Sequence, residues 1–488
     1  MNTGSHEAQL PSVAPHTPSA DVMPAPECAE PSPGVLAAQP VELAVILAAG
    51  EGSRLARQGK GRPKPGVSLL GLSLSERTVL ACMDAGIRRF VVVLGHEKEW
   101  VRSHFERIAA ARSCEISFAE APNWRLGNGA SALAAAATVG DSRFLLVMVD
   151  HLVDPQLIYE VRSAAVQQDE IGLGVDRGRD QLFDVDDATK VKLERGRVRQ
   201  IGKRLDEWDA ADTGVFLCTR ALFEGLASSS SRRQHGLSAG VSVLAERGAV
   251  RAIDVTGRAW IDVDTPAAWR EARRRLLSRL SGKGEDGFVS RLINRPVSIR
   301  ISARLASTSI TPNQITAASF LITLAGAALL ATGKVGLTVA GGLVVQAASI
   351  LDGCDGEIAR LKHWATRRGA WLDTILDRYA DSVVTLAVTL AHARLYPGPL
   401  TWLGGMVALS GFILASYTTK EYAIRHERSY PNDVLNRLKR RDLRLLGICL
   451  GAVVGYPFVA VLALGLLSHA CVFGILIRGW RLSSEKVP

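Results

Sequence analysis

Residues 352–377 read D-G-C-D-G-E-I-A-R, then L-K-H-W-A-T-R-R, then G-A-W-L-D-T-I-L-D. Four carboxylates, Asp352, Asp355, Asp373 and Asp377, stand inside segments otherwise apolar enough to enter a membrane. The first pair is spaced by three residues and the second by four, so on helices each pair shares a face. Two such faces turned toward each other make an oxygen-rich cage suited to Mg²⁺, with Mn²⁺ as the alternative. Unpaired carboxylates are costly in lipid, which makes a functional site the default reading. An acidic loop capping two helices is the bland alternative, but a loop needs no such spacing.

Around this stretch six apolar segments are expected, at 315–332, 335–358, 369–392, 400–418, 443–456 and 458–478. A helix needs roughly 20 apolar residues to cross a bilayer, and several of these are near that length. The basic stretches between them all fall on one side if there are six spans, and the positive-inside rule makes that side the cytoplasm. Upstream, Arg291, Arg295, Arg300 and Arg304 lie among apolar residues. That pattern predicts an interfacial amphipathic helix meeting anionic headgroups.

The string D-x-x-D-G-x-x-A-R, eight residues, G-x-x-x-D-x-x-x-D resembles without a gap the motif of the CDP-alcohol phosphotransferase family. The resemblance implies a six-helix membrane enzyme with two divalent metals. Such an enzyme moves a substituted phosphate from a CDP-alcohol onto a second alcohol and releases CMP. It implies Asp352, Asp355 and Asp373 as metal ligands and Asp377 as general base, because a neutral hydroxyl must lose its proton, with Asp377 counted among the metal ligands as well. Gly356, Ala359 and Gly369 are small where the cytidine must approach. Arg360 is either a helix-end cation or a phosphate contact. Arg437, Lys439, Arg440 and Arg441 serve either as an acceptor-phosphate pocket or as membrane anchors. The family is often dimeric, which allows a homodimer through the membrane domain.

The N-terminal half has a different character. Residues 1–40 are rich in Pro, Ala and Ser, bury too little surface to offset ordering, and read as a disordered tail. No apolar h-region follows a basic n-region there, so no cleavable signal peptide is expected. From Val41, V-E-L-A-V-I-L-A-A-G reads as a buried strand running into G-E-G-S-R-L-A and G-R-P-K-P. A strand followed by a glycine-rich, cation-bearing loop is a phosphate cradle, with Ala49, Gly50 and Gly52 supplying close backbone and Arg54 and Lys64 the positive charge. Further apolar strands alternate with helical stretches, which implies a doubly wound α/β sheet. F-L-L-V-M-V-D-H ends a strand at Asp150, where such folds bind ligands.

L-A-A-G-E-G-S-R with P-K-P resembles the opening of the sugar-nucleotide type nucleotidyltransferases. The resemblance implies that Asp150 and a second aspartate from W-I-D-V-D-T-P hold one Mg²⁺ on the nucleotide. Asp264 is the first choice for that second ligand and Asp262 the alternative, with an N-cap role competing for Asp264. Gly127 and Gly129 open the segment that contacts nucleotide and sugar. Asp212 or Thr213 is expected near the second substrate, and Lys190, Lys192 and Lys203 in the region that frames its phosphate. His151 is read as a positioning residue.

The 488 residues divide as a tail at 1–40, a cytidylyltransferase domain at 41–280, a linker and amphipathic helix at 281–313, and a membrane domain at 314–488. The fold class is therefore an α/β doubly wound nucleotidyltransferase domain fused to an all-α six-helix transmembrane domain. A formal charge of +10 and a positive mean hydropathy point to membrane surfaces and phosphorylated substrates, and no nucleic acid is expected as a partner. Seven scattered cysteines offer no zinc pattern or disulfide framework and suit a reducing cytoplasm. The fusion resembles the family of bifunctional inositol-1-phosphate cytidylyltransferases and di-myo-inositol-phosphate-phosphate synthases. That implies CTP and inositol 1-phosphate as substrates, CDP-inositol as the shared intermediate, and an inositol phosphodiester as product. The alternative keeps both steps with another alcohol phosphate and a lipid acceptor.

Overall fold

The computed structural model describes residues 40–59, 61–179, 182–281 and 287–484. The expected tail, but for residue 40, and residues 282–286 of the expected linker lie outside them.

The apolar run after Val41 forms β1 (Leu43–Leu47), whose Ala44, Val45 and Ile46 are fully buried. It is flanked by parallel partners on both sides, β2 (Arg89–Leu94) and β4 (Phe144–Met148), and β3 (Glu115–Glu120) extends the sheet beyond β2. A strand buried on both faces needs no polar alternation, which is why its sequence is continuously apolar. Beyond β4 the sheet turns mixed. β9 (Ala210–Cys218) lies antiparallel to β4 and to β6 (Ile171–Asp176). Then come β10 (Val250–Asp254), β8 (Arg197–Gly202) and β7 (Lys190–Glu194), giving the order β3-β2-β1-β4-β9-β6-β10-β8-β7. A separate two-stranded piece pairs β5 (His151–Val153) with β11 (Trp260–Asp262).

Helices cover both faces. α1 (Leu74–Asp84), α2 (Lys98–Arg112) and α4 (Pro155–Arg162) pack one core around Ile46, Val92 and Phe105. α3 (Asn128–Leu133), α5 (Ala221–Ser231) and α6 (Leu237–Glu246) pack the other around Val45, Phe144 and Phe216. α7 (Pro266–Ser278) follows β11.

The C-terminal part is helical. α8 (Arg295–Leu305) precedes α9 (Pro312–Ala331), α10 (Val335–Leu361), α11 (Arg367–Leu395), α12 (Pro399–His426), the short α13 (Val434–Leu438), α14 (Arg441–Val454) and α15 (Pro457–Ser484). α9 opens with Thr311 as cap, Pro312 in its first turn and Gln314 closing a capping box. Its Gly326 lies against Gly341 of α10, where a side chain on either would press on the other's carbonyl. Each expected apolar segment falls on one of these helices. Among the described residues, however, only α9, α10, α12 and α15 are long and apolar enough to cross a membrane. α11 carries too many charges, and α14, at about 1.5 Å per residue, falls short of a ~30 Å core. α8 also differs from the expectation: Arg295 turns inward to a fully buried Glu357 at 2.7 Å, so it does not serve a lipid headgroup. The six described cysteines are free.

Two candidate active sites

The first site lies at the carboxyl ends of β1 and β4. A cleft of about 690 Å³ is lined by Ala49, Gly50, Gly52, Arg54, Lys64, Gly127, Asp150, Asp262 and Asp264. It adjoins a second hollow of about 880 Å³, the two sharing His151, Thr189, Lys203, Asp212, Asp262 and Asp264. Gly52 adopts φ +67°, and a side chain there would collide with Lys64, so the glycine lets the lysine fold over the loop. Lys64 donates to Asp150. Burial disfavours its charged form, but Asp150 and Asp262 overcome this and hold the ammonium above the ordinary lysine range.

The β5–β11 ladder sets Asp262 opposite His151. One ligand atom each from Asp150, His151 and Asp262 falls within 4.8 Å of the others. Asp262 Oδ1 is buried without a hydrogen-bond partner, as an oxygen waiting for a cation would be. The two carboxylates of this group fit a hard divalent ion. Asp264, the first choice from sequence, is drawn aside by Arg54 at 2.6 Å. The helix cap that competed for it is supplied by Thr265, which accepts from the Ala268 amide. His151 Nδ1 lies 3.0 Å from the Thr213 carbonyl. Burial opposes its protonation, yet the Asp262 and Asp150 carboxylates raise it to about 9.

Other expected residues separate. Gly127 lines the cleft, but Gly129 packs on the backbone of His235 and Gly236, where a Cβ would come within 2.7 Å of their carbonyls. Its lack of a side chain is what lets the segment before α6 approach. Thr213 is buried and donates to Gly174, while Asp212 faces both hollows and burial lifts its carboxyl to about 6. Of the three lysines Lys203 reaches the hollows, paired with Asp187 at 2.5 Å, whereas Lys192 turns to Glu207. Lys190 begins β7 and lines neither.

The second site is built from α10 and α11. Asp352, Asp355 and Asp373 each offer an oxygen within 4.8 Å of the others, an all-carboxylate set suited to the same hard cations. α9 supports it: Thr316 donates to Asp355 at 2.5 Å and Ser319 to Asp352 at 3.1 Å. Asp377 stands apart from the trio. Arg441 reaches it at 2.6 Å and Asp352 at 3.0 Å. Arg441 also meets Asp381 at 3.2 Å, a buried carboxylate that Arg444 approaches at 3.3 Å. Sequence reading omits Asp381, Arg444, Thr316 and Ser319, although Asp381 continues the four-residue spacing of 373 and 377.

The basic run 437–441 does not form one pocket. Arg437 is exposed, Lys439 is buried and donates to Thr419 and the Ala415 carbonyl of α12, and Arg441 faces the carboxylates. Arg440 is half-buried and precedes α14. Arg360 lies exposed near the end of α10. A Cβ on Gly356 would meet only Arg360 of its own helix, whereas one on Gly369 would press Asn313 and Thr366.

Two families match the chain. The MobA-like NTP transferase domain covers residues 44–233, and CDP-alcohol phosphatidyltransferase covers 309–476. Both kinds of enzyme generally use divalent metals. A protein of Rubrobacter xylanophilus named "Bifunctional IPC transferase and DIPP synthase" is 39% identical over 429 residues, 88% of this chain and 94% of that one. Proteins of the same name from Aquifex aeolicus and Archaeoglobus fulgidus are 33% and 37% identical, over 90% and 78% of this chain and 99% and 71% of theirs.

Proposed function

The chain belongs to the family of bifunctional IPC transferases and DIPP synthases, and from that premise we propose that its two sites act in sequence on inositol 1-phosphate. The observation that carries this reading is a single chain with two separate acidic clusters, one in each matched domain.

In the first reaction a phosphate oxygen of inositol 1-phosphate attacks the α-phosphorus of CTP. The bond from that phosphorus to the bridging oxygen breaks, and pyrophosphate leaves with its electrons. The attacking oxygen is already ionised and needs no base. Arg54, Lys64 and the amides of Gly50 to Gly52 take up the charge that grows on the leaving group. Asp150 and Asp262 are the residues that would hold Mg²⁺ here, with Asp264 set back on Arg54.

In the second reaction a hydroxyl of another inositol 1-phosphate attacks the β-phosphorus of CDP-inositol, and CMP departs. Asp352, Asp355 and Asp373 would hold the ions, and Asp377 takes the hydroxyl proton. Divalent ions, Mg²⁺ before Mn²⁺, supply charge neutralisation of the bridging phosphates at both sites when bound. Arg441 holds Asp377 until the acceptor arrives, and releases it by turning to the acceptor phosphate. The chain is a membrane protein with its soluble domain on the cytoplasmic side, drawing on the same substrate pool as the helical domain.

Membranes bearing the full chain are given CTP, Mg²⁺ and a panel of alcohol phosphates, and pyrophosphate and CMP are followed. Asp150→Asn should lose pyrophosphate release while still consuming supplied CDP-inositol. Asp377→Asn should accumulate CDP-inositol. Pyrophosphate release with a different alcohol phosphate and none with inositol 1-phosphate would refute the inositol assignment.

A further inference from the structure

The C-terminal end of α10 is held from the soluble domain. Its last carbonyls have no partners inside the helix. Arg77 of α1 donates to the Leu361 carbonyl at 3.4 Å, and Arg112 at the end of α2 donates to Lys362 at 3.1 Å and His363 at 3.3 Å. Both cations are fixed in their own domain. Arg77 is buried and donates twice to Leu69, while Arg112 makes a two-pronged contact with Glu76. Two guanidinium groups therefore cap this helix end and complement its dipole. Around them Leu70, Leu280, Ala303, Ala306 and Leu361 form a small apolar core drawn from both parts of the chain. Gly71, at φ +86°, lets this core close, since a Cβ there would strike the Ala306 carbonyl.

The held segment is the link between the two halves of the second site. Asp355 lies six residues before Leu361, and Asp373 six residues after Arg367. A slip of one residue in either helix turns its carboxylates by about 100° and moves them about 1.5 Å. A metal-binding cage tolerates only a few tenths of an ångström.

We propose that Arg77 and Arg112 are positioning residues for the reaction in the membrane domain. The soluble domain clamps the α10–α11 link and so fixes Asp352 and Asp355 against Asp373. The nucleotidyltransferase domain thus has a second task that its own chemistry does not use. The proposal rests on the functional reading above for the identity of the second reaction, but not for the clamp itself.

The test uses the detergent-solubilised full chain with the two half-reactions assayed apart. Wild type is first offered a panel of CDP-alcohols with inositol 1-phosphate and other acceptors, and the accepted pair is used thereafter. Failure of CDP-inositol at that step counts against the inositol reading alone. Arg112→Ala should keep pyrophosphate release within about twofold, because Arg112 lies outside the first cleft. Its CMP release should fall about tenfold in kcat with KM for the CDP-alcohol little changed, and Arg112→Lys should recover part of it. Hydrogen exchange of the 361–373 amides, measured without substrate or metal, should quicken in Arg112→Ala. Gly71→Ala, which wedges the same interface without touching an arginine, should give the same split. Unchanged CMP release and unchanged exchange in both variants would overturn the proposal. So would an equal fall in both half-reactions, which would mark general damage.

Discussion

Asp262 and Asp264 differ by two positions and have different fates. The first sits in a ladder opposite His151, with an orphaned oxygen beside Asp150. The second is paired with Arg54. Loss of a metal ligand should cost more than loss of a supporting partner, which typically lowers metal affinity or activity by roughly 10–100-fold. Asp262→Asn should therefore reduce pyrophosphate release by more than ~100-fold and Asp264→Asn by about 10–100-fold, a ranking that steady-state assays of the two variants would check. In the helical domain Asp381 makes the corresponding case. It is buried among Arg378, Arg441 and Arg444. Breaking a buried ionic cluster on one side leaves cations uncompensated, at a cost of about 3–5 kcal/mol. Asp381→Asn should lower the unfolding temperature of the full chain and reduce CMP release, while pyrophosphate release persists. Wild-type CMP release would remove Asp381 from the working site.

Single elements explain why some predicted contacts are absent. In sequence Gly129 falls in the segment that resembles a nucleotide and sugar contact. In three dimensions α3 presses it against the loop before α6. A methyl group there overpacks the backbone, with a typical cost of about 1–3 kcal/mol. Gly129→Ala should weaken pyrophosphate release several-fold and leave CMP release from supplied CDP-inositol intact. If nucleotide affinity alone changes, with no loss of thermal stability, Gly129 is a ligand contact after all. The same logic governs the basic run before α14. Read along the chain it is one cluster. On the structure Lys439 is buried against α12, Arg441 crosses to α11, and Arg437 stays exposed.

For the whole molecule, the number of crossing helices fixes which side of a bilayer each link faces. Among the described residues four helices meet the length and hydropathy of a span, and α11 and α14 do not by themselves. α11 is nevertheless 29 residues long, and its carboxylates face protein partners. Intramembrane charges are tolerated when turned inward in this way. If six helices cross, the 362–366 link and the soluble domain share a side, and the turn at Tyr396–Gly398 faces the other. A cysteine placed at Gly398 should then react with a membrane-impermeant maleimide added from outside intact cells, and one at Ala365 should not. The opposite labelling pattern would invert the orientation.

The two-part organisation, the buried first strand with its glycine-rich loop and the paired carboxylates of the helical domain were all legible in the sequence. Each depends on spacing within a few turns or a single strand, where periodicity translates directly into a shared face. Tertiary structure alone set Asp262 beside Asp150 and His151 and Asp264 on Arg54, brought Arg441 from sixty residues away to Asp381, and set Arg112 on the end of α10. Those choices follow from ladder register and helix packing between distant segments, and such encounters leave no local pattern in the chain.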